Sequence, residues 1–385
     1  MTDTLTLDML KCARCGKCRS LCPSFKTGES KWETTSARGR VLMSLGINQK
    51  KIPITKQLVS DIYSCFFCKY CSELCPSDVD VSKIIEATRA QIFREGLLPD
   101  PIQLLMNNLD ESRNIFNLDQ DDRLIWAMNV EEIVEDRVCK EAEVGFFIGC
   151  LASFKGTLAT IPEALILIMD HLKIDFTILG EEEWCCGNPY FIAGNTGSMT
   201  QEVAAHNIKK MSELGVETVV TACPGCYRVW SSIYPKIHGD LPFQVQHSSQ
   251  FLADLIHSGK LSITKGLSQK VGFQDPCELG RHCGEYEAPR IVLKSIPELE
   301  LIELESTKEN SECCGGGGLA KALHPSLAIN QGQNKIQQYS ADKIELLITA
   351  CPSCYENYQN SLDSCQVKID VKDINELIAE QLELL

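Results

Sequence analysis

The sequence of 385 residues lacks the features of a membrane protein and of a nucleic-acid-binding protein. No apolar run approaches the roughly eighteen residues that a membrane-spanning helix needs, and the apolar residues 164–169 are predicted to lie in a core helix. Basic residues number 37 against 52 acidic residues, which gives a net charge of −15. An electrostatic nucleic-acid surface needs the opposite sign, so the composition argues against that class of function.

The sequence also lacks an amino-terminal signal made of a cationic region and an apolar region, so we expect a cytoplasmic protein. Cysteine, by contrast, is abundant, and 18 of the 21 cysteines fall in four clusters. Disulfide frameworks belong to short secreted chains, whereas clustered cysteines in a reducing compartment usually bind metal. The length suffices for two or three domains with hydrophobic cores of their own.

Two of the clusters share the spacing C-x-x-C-x-x-C-x-x-x-C-P. The first consists of Cys12, Cys15, Cys18 and Cys22, and the second of Cys65, Cys68, Cys71 and Cys75. This spacing is typical of bacterial ferredoxins, in which the fourth cysteine of each run ligates the other cluster. We therefore predict two cubane [4Fe–4S] clusters, one on Cys12, Cys15, Cys18 and Cys75 and the other on Cys65, Cys68, Cys71 and Cys22. Tetrahedral zinc would leave the third cysteine and the proline of each run unexplained.

Residues 1–96 are predicted to form a helical ferredoxin domain, because the stretch between Cys22 and Cys65 is too long for a compact ferredoxin. The predicted helices cover residues 34–44, 55–62 and 81–95. This arrangement resembles the ferredoxin domain of electron-transfer proteins such as the iron–sulfur subunit of succinate dehydrogenase. Residues 97–143 are predicted to form a helical linker, in which Cys139 is a small buried residue.

The other two clusters repeat one pattern, C-x34/35-C-C-G-x35-C-x-x-C. The first copy consists of Cys150, Cys185, Cys186, Cys223 and Cys226, and the second of Cys277, Cys313, Cys314, Cys351 and Cys354. The surrounding sequence repeats as well, since residues 221–227 recur as residues 349–355 after 128 positions. Such a duplication indicates two homologous domains with matching metal sites, predicted to span residues 144–262 and 263–385.

Strand and helix patterns alternate in both copies. In the first copy, strands are predicted at 144–148, 175–179 and 217–221, and helices at 162–172, 201–214 and 249–256. In the second copy, strands are predicted at 270–273, 299–304 and 344–349, and helices at 288–295, 326–339 and 374–382. The alternation predicts small parallel α/β domains with cysteines at the carboxyl ends of strands. The predicted fold class is α+β multidomain, a helical ferredoxin domain followed by two tandem α/β domains.

Five cysteines in each copy exceed the four that a cubane or a zinc ion needs. The adjacent pair Cys185–Cys186 suits an extended cluster that offers iron to both side chains of a loop. Each C-P-x-C element precedes a helix whose free N–H groups would stabilise a negatively charged cluster, and the glycines 315–318 would let the backbone approach it. Structural zinc in one copy and a redox-active pair at Cys223 and Cys226 stay as alternatives.

Three residues near the second copy have no fixed role. Cys283 could replace Cys277 as a ligand, and Cys365, which lies outside the repeat, is predicted to be structural. His282 is a candidate proton donor, although a histidine packed against a loop is the commoner case.

The five-cysteine pattern resembles the CCG domain, and its tandem form resembles the heterodisulfide reductases of methanogens. Residues 275–282 and 286–290 are also similar to that family, and Glu278 stands where a histidine often follows the Pro-Cys pair. The order of domains is that of the fused type, in which the cubane-carrying subunit and the catalytic subunit form one chain. The resemblance implies a noncubane [4Fe–4S] cluster on each five-cysteine set, with a substrate disulfide bound between them and split in one-electron steps.

The resemblance further implies an oxidoreductase subunit that reduces a disulfide of the CoM-S-S-CoB type to two thiols, as in methanogenesis. The ten cysteines of the two copies would be its catalytic residues. Electrons would arrive through the two cubanes from a flavoprotein or cytochrome b partner, through which the chain could dock on a membrane. The alternative is an electron-transfer protein with no substrate of its own, serving a flavin-dependent glycolate or lactate oxidase or a quinone-linked complex. The natural disulfide, the direction of electron flow and the oligomeric state stay open.

Overall fold

The amino-terminal region is helical, as the sequence predicts. The computed structural model describes the backbone of residues 3–385 and the side chains of residues 5–385. The helices of this region are α1 (Asp3–Leu10), α2 (Lys17–Leu21), α3 (Pro23–Thr27), α4 (Ala37–Asn48), α5 (Lys56–Tyr63), α6 (Tyr70–Glu73) and α7 (Val81–Arg94). The side chains of Ser36, Thr55 and Asp80 accept first-turn backbone N–H groups and fix the starts of α4, α5 and α7. The cap at Ser36 explains why α4 begins later than predicted.

The segment that follows α7 packs into the first α/β unit. It consists of α8 (Asp100–Ser112), a 3₁₀ helix (Gln120–Asn129) and α9 (Glu131–Glu135). The buried guanidinium of Arg123 donates to the carboxylate of Glu183 at 2.7 Å, and Trp126 lies in the hydrophobic core of that unit. The prediction that Cys139 is buried is wrong. Its side chain is exposed, because Cys139 adopts a left-handed conformation (φ 52°) where the chain runs beside an edge strand.

Each copy of the repeat folds into a four-stranded sheet whose strands all run parallel. The first sheet contains β1 (Val144–Phe146), β2 (Phe176–Ile178), β3 (Thr218–Thr221) and β4 (Gln244–His247) in the spatial order β2-β1-β3-β4. The second contains β5 (Lys270–Gln274), β6 (Glu300–Ile302), β7 (Leu346–Thr349) and β8 (Asp370–Asp373) in the order β6-β5-β7-β8. The two orders are equivalent, as duplication requires. The predicted fold class is confirmed, while the domain boundaries stay predictions.

Helices connect the strands, because parallel neighbours need crossover connections. In the first unit they are α10 (Cys150–Phe154), α11 (Thr160–His171), α12 (Asn188–Ala193), α13 (Ser198–Glu213), α14 (Pro224–Arg228), α15 (Tyr234–His238) and α16 (Ser248–His257). In the second unit they are α17 (Glu287–Lys294), α18 (Ala320–Leu323), α19 (Pro325–Ala341), α20 (Pro352–Leu362) and α21 (Ile374–Gln381). Each predicted helix and strand of the two copies is present within a few residues of its expected bounds.

The sequence did not predict β4 and β8, which are edge strands of equivalent position. Their first residues, Gln244 and Asp370, are exposed, and only one or two side chains of each strand are buried. Neither strand has the apolar run that marks a central parallel strand. The predicted placement of cysteines is confirmed at the other strands: Cys150, Cys223, Cys277 and Cys351 follow the carboxyl ends of β1, β3, β5 and β7.

The two α/β units pack through reciprocal pairs of helices. Helix α11 of the first unit contacts α21 of the second, and α16 of the first contacts α17 of the second. Because α11 is equivalent to α17 and α16 to α21 in the repeat, the units are related by a pseudo-twofold axis. Polar contacts cross both pairs: Thr160 donates to Glu376, and the Gln250 amide donates to Glu285 at 2.7 Å.

Gly318 marks the point where the second unit docks on the amino-terminal domain. Its φ of +71° favours glycine, and a Cβ atom there would lie 2.3 Å from the carbonyl carbon of Phe66. We expect Gly318→Ala to lower the free energy of unfolding by at least about 1–3 kcal/mol, because the backbone is strained and the docked surfaces must separate. Thermal unfolding with limited proteolysis measures the loss.

Gly317→Ala is the matched control. A Cβ atom at Gly317 would meet the Phe66 carbonyl oxygen at 3.5 Å, which is ordinary van der Waals contact. Its thermal midpoint should stay near that of the parent protein. Equal midpoints for the two variants would contradict the assigned docking contact.

Candidate metal centres

The first set of thiols lies at the surface of the amino-terminal domain. One cavity is lined by Cys12, Cys15, Cys18 and Cys75. The fourth cysteine of the second run therefore joins the first three of the first run, as the ferredoxin spacing predicts. Burial raises the pKa of the Cys18 thiol to about 12, and the neighbouring thiols add to the effect. Cys15 is exposed, so this set faces solvent on one side.

The second set lies deeper and surrounds a buried arginine. Its members are Cys22, Cys65, Cys68 and Cys71, and their charges interact with one another. The Arg40 guanidinium is completely buried and lies 3.6 Å from the Cys22 sulfur through Nη1. Arg40 Nη2 donates to the hydroxyls of Ser24 and Ser64 at 2.9 and 2.7 Å. Burial raises the pKa of Cys65, although the charges of Arg40 and Arg89 oppose the effect.

The first five-cysteine set forms a connected group of buried thiols. The sulfurs of Cys150 and Cys185 are 3.5 Å apart, and those of Cys226 and Cys186 are 3.4 Å apart. Cys223 hydrogen-bonds with Cys226 and completes the set. The thiols of Cys185 and Cys226 donate to Cys186 and lower its pKa to about 6, so Cys186 is the member best prepared to be a thiolate.

The second set repeats this arrangement. Cys313 contacts Cys277 and Cys314, and Cys354 contacts Cys314 and Cys351. The thiols of Cys313 and Cys354 donate to Cys314 and lower its pKa well below the usual range, as at the equivalent Cys186. The loop of glycines supports these thiols, since the N–H groups of Gly315 and Gly316 donate to Cys313 and Cys314, each at 3.3 Å.

The donor sets suit iron–sulfur clusters. The structure gathers the eighteen predicted ligands into groups whose donors are all sulfur, with five thiols together in each repeat, and their assignment as cluster ligands stays a prediction. Among the described residues, no group of three or more His, Cys, Asp or Glu side chains is arranged to hold a single metal ion.

The two five-cysteine sets approach each other across the pseudo-twofold axis. The charges of Cys223 and Cys351 interact although the residues belong to different units. Two ion pairs cross the junction: Arg228 pairs with Glu278 at 3.1 Å, and Lys155 pairs with Glu356. Within the second unit, Glu356 also pairs with Lys321 at 3.1 Å.

These ion pairs were not predicted, although a comparison of the two copies of the repeat indicates two of the residues that form them. Arg228 and Glu356 occupy equivalent positions 128 residues apart, directly after the two Cys-Tyr dipeptides. The two units therefore carry opposite charges at this position. Arg228 pairs with Glu278 of the second unit, and Glu356 pairs with Lys155 of the first unit. Aligning the two copies beyond their cysteines identifies this pair.

The second unit also contacts the loop of the second thiol set. The Cys68 thiol hydrogen-bonds with Cys313, so it lies between its own predicted set and the second five-cysteine set. Arg281 Nε donates to the Cys68 carbonyl at 2.7 Å, and His282 Nε2 donates to the Phe67 carbonyl at 2.9 Å while its ring stacks on Phe67. His282 is thus a packing residue of this contact.

Two further cysteines, Cys283 and Cys365, lie outside the repeat. Cys283 hydrogen-bonds with Ser231, and burial raises its pKa to about 12. Cys365 is half-buried after helix α20, at the side of the second core.

Three segments of the chain match known families. Residues 8–79 match the family described as 4Fe-4S dicluster domain, and residues 144–229 and 271–358 match the Cysteine-rich domain, CCG. No helix of the described residues is long and apolar enough to cross a membrane. Among solved structures, an aspartate racemase from Picrophilus torridus matches with a TM-score of 0.31 and 12% identity over 62% of this chain and 92% of that chain, and this match supports no inference.

Similarity to curated proteins extends over the whole chain. A subunit of the dihydromethanophenazine:CoB--CoM heterodisulfide reductase of Methanosarcina mazei is 33% identical, with 100% of this chain and 96% of that protein aligned. EtfAB:quinone oxidoreductase of Syntrophomonas wolfei is 27% identical over 98% of this chain but only 58% of its own length. The probable iron-sulfur-binding oxidoreductase FadF of Bacillus subtilis is 26% identical over 98% of this chain and 60% of its own length.

The buried Arg40 guanidinium beside the second thiol set should influence the reduction potential of the centre held there. We expect Arg40→Gln to lower the reduction potential of the centre held there, because a buried cation beside Cys22 favours the addition of an electron. Arg40→Lys should keep most of the parent potential. EPR-monitored redox titration measures both.

Arg38→Gln is the control at the first set. Arg38 lines that cavity, but Glu33 already balances its charge at 2.7 Å, so a smaller shift is expected. An unchanged potential in Arg40→Gln with the centre intact would contradict the tuning role.

Proposed function

This chain belongs to the family of fused heterodisulfide reductase subunits, and we propose that it is the disulfide-reducing component of an iron–sulfur oxidoreductase complex. A disulfide of the CoM-S-S-CoB type takes up two electrons and two protons and leaves as two thiols. The substrate binds between the two five-cysteine sets. Membership of this family makes the chain an iron–sulfur oxidoreductase.

One observation carries this proposal: the two five-cysteine sets meet across a pseudo-twofold axis. A disulfide has two sulfurs, and cleavage at a single site leaves one fragment free to recombine. Cys223 and Cys351 belong to opposite units and are close enough for their charges to interact. Two sites in this relation can each receive one sulfur of the same substrate, which a chain of electron carriers does not require.

The cofactors of the proposal are two cubane and two noncubane [4Fe–4S] clusters. The cubanes would be held by Cys12, Cys15, Cys18 and Cys75 and by Cys65, Cys68, Cys71 and Cys22. The noncubane clusters would be held by Cys150, Cys185, Cys186, Cys223 and Cys226 and by Cys277, Cys313, Cys314, Cys351 and Cys354. When bound, these clusters supply single electrons and, in the five-cysteine sets, iron that accepts a thiolate.

We place the entry of electrons at the first thiol set. Cys15 is exposed, so the first thiol set is the one that a flavoprotein or cytochrome b partner can approach. The second set lies deeper, and its Cys68 contacts Cys313 of the second five-cysteine set. The proposed electron path therefore runs through the first set, the second set, the second repeat and the first repeat. We further propose that the protein works in the cytoplasm and reaches membranes only through such a partner.

A second candidate function is supported by the longer relatives. EtfAB:quinone oxidoreductase and FadF align with nearly the whole of this chain. A protein that passes electrons between a flavoprotein and a quinone-linked partner would need the same thiol sets but no disulfide of its own. This candidate gives no reason for two complete five-cysteine sets to lie close enough for Cys223 and Cys351 to interact.

Anaerobic assay of the reconstituted chain distinguishes the two functions. Reduced viologen supplies electrons, the CoM-S-S-CoB disulfide is the substrate, and released thiols are counted. We expect two thiols for every two electrons consumed. Fully loaded protein that oxidises viologen with a quinone analogue but releases no thiol from any disulfide would favour the second candidate.

Paired substitutions test whether both sites act on one substrate. Cys186 and Cys314 are equivalent, and each accepts hydrogen bonds from two neighbouring thiols that lower its pKa. We expect Cys186→Ala and Cys314→Ala each to reduce kcat by about a hundredfold or more, and the double variant to be scarcely slower, as for residues that act as a unit.

Cys139→Ala serves as the control, because Cys139 is exposed and outside both sets. Its kcat should equal that of the parent. Full activity in Cys186→Ala, with loss of its cluster shown by iron analysis, would exclude shared cleavage.

A further inference from the structure

His247 lies at the junction of the two α/β units. It ends strand β4 and caps helix α16, and its side chain is completely buried. The backbone N–H of Ser249 donates to Nδ1 at 3.2 Å, so the neutral ring carries its proton on Nε2. Burial lowers the pKa of His247 to about 4, which keeps the ring neutral at pH 7.

The imidazole contacts both units. His247 Nε2 donates to the carbonyl oxygen of Ala222 at 3.2 Å. The carbonyl of Ala350, in the second unit, lies within hydrogen-bonding range of the same ring and opposes the effect of burial on its pKa. Ala222 and Ala350 are equivalent residues and directly precede Cys223 and Cys351. One imidazole from the first unit therefore holds the same point of both C-P-x-C loops.

The ring itself has little freedom to move. Its Nδ1 atom lies 2.9 Å from the hydroxyl of Ser249, and its face meets the edge of Tyr227 at 6.1 Å between ring centroids. The backbone N–H of His247 donates to the Gln250 side chain and completes the cap of α16. Since α16 packs against α17 of the second unit, the donor is fixed relative to both loops.

The second unit has no equivalent imidazole. Its counterpart is Asp373, which ends β8 and caps α21. Asp373 Oδ1 accepts the backbone N–H of Asn375 at 2.9 Å, and Oδ2 has no hydrogen-bond partner among the described residues. Asp373 thus serves its own helix, while His247 serves its helix and the junction.

We propose that His247 is a positioning residue that fixes the separation of the two five-cysteine sets and so the span available to a bound disulfide. The inference rests on the proposed function, because this separation affects catalysis only if both sets act on one substrate. The separation of the two sets matters because a displacement of reacting groups by about 1 Å can lower the rate by about a hundredfold.

The test compares His247→Leu, which removes the donor, with His247→Gln, whose amide can donate from a similar place. Asp373→Asn is the matched control, because it keeps the capping oxygen in the equivalent position of the other unit. Fully loaded holoprotein is used for three measurements. These are the magnetic interaction between the two five-cysteine centres by EPR, hydrogen exchange of peptides covering 221–227 and 349–355, and kcat with the CoM-S-S-CoB disulfide.

We expect His247→Leu to weaken the magnetic interaction, to speed exchange in both peptides and to lower kcat by about ten- to a hundredfold. His247→Gln and Asp373→Asn should retain the parent interaction. If His247→Leu does not fold, His247→Phe replaces it, because its ring fills the same space without a donor.

Unchanged magnetic interaction and exchange in the donor-free variant would overturn the positioning role. A parent protein that reduces no disulfide would count against the proposed function instead. The magnetic and exchange measurements would still decide whether His247 joins the two loops.

Discussion

The arrangement of the three parts of this chain depends on one buried cation, Arg89. Its Nη1 atom donates to the carbonyls of Ile192 and Gly318 at 3.1 and 3.0 Å, and its Nη2 atom donates to those of Ile62 and Cys65 at 3.3 and 2.9 Å. A buried charge costs several kcal/mol unless it is fully bonded. Those four carbonyls come from the ferredoxin domain and from both α/β units, so the N–H groups of Nη1 and Nη2 are all paired only when the three parts are docked.

This constraint makes the two repeats unequal although their cysteines match. The second unit approaches the second thiol set through Gly318, Arg281 and the Cys68–Cys313 contact. The second thiol set of the ferredoxin domain therefore lies next to the second repeat, and not midway between the two repeats. The duplication gives two equivalent five-cysteine sites. Because the ferredoxin domain docks at Arg89, these two sites have different neighbours. The opposite charges at Arg228 and Glu356 are a second sign of that divergence.

Local patterns in the sequence were sufficient for the architecture because period and spacing are local properties. Central strands such as β3 and β7 are apolar runs that end at Cys223 and Cys351, and the offset of 128 residues reveals the duplication directly. Edge strands β4 and β8 were not predicted, because about half of each strand faces solvent and neither has an apolar run. The roles of the buried residues Arg89 and His247 were not predicted for another reason. Their partners are backbone carbonyls on distant segments, and every residue type has a backbone carbonyl, so the sequence does not identify these partners.

The site of each unit is supported by residues of the other unit. His247 contacts the loop that precedes Cys351, the helix that contains Cys354 is paired through Glu356 with Lys155, and the helix that contains Cys226 is paired through Arg228 with Glu278. Each partner belongs to the opposite unit. A repeat on its own would thus keep its five thiols but lose the contacts that orient them. Selection acting on such a pair can change one unit while preserving the junction, because the junction residues differ between the copies and the thiols do not.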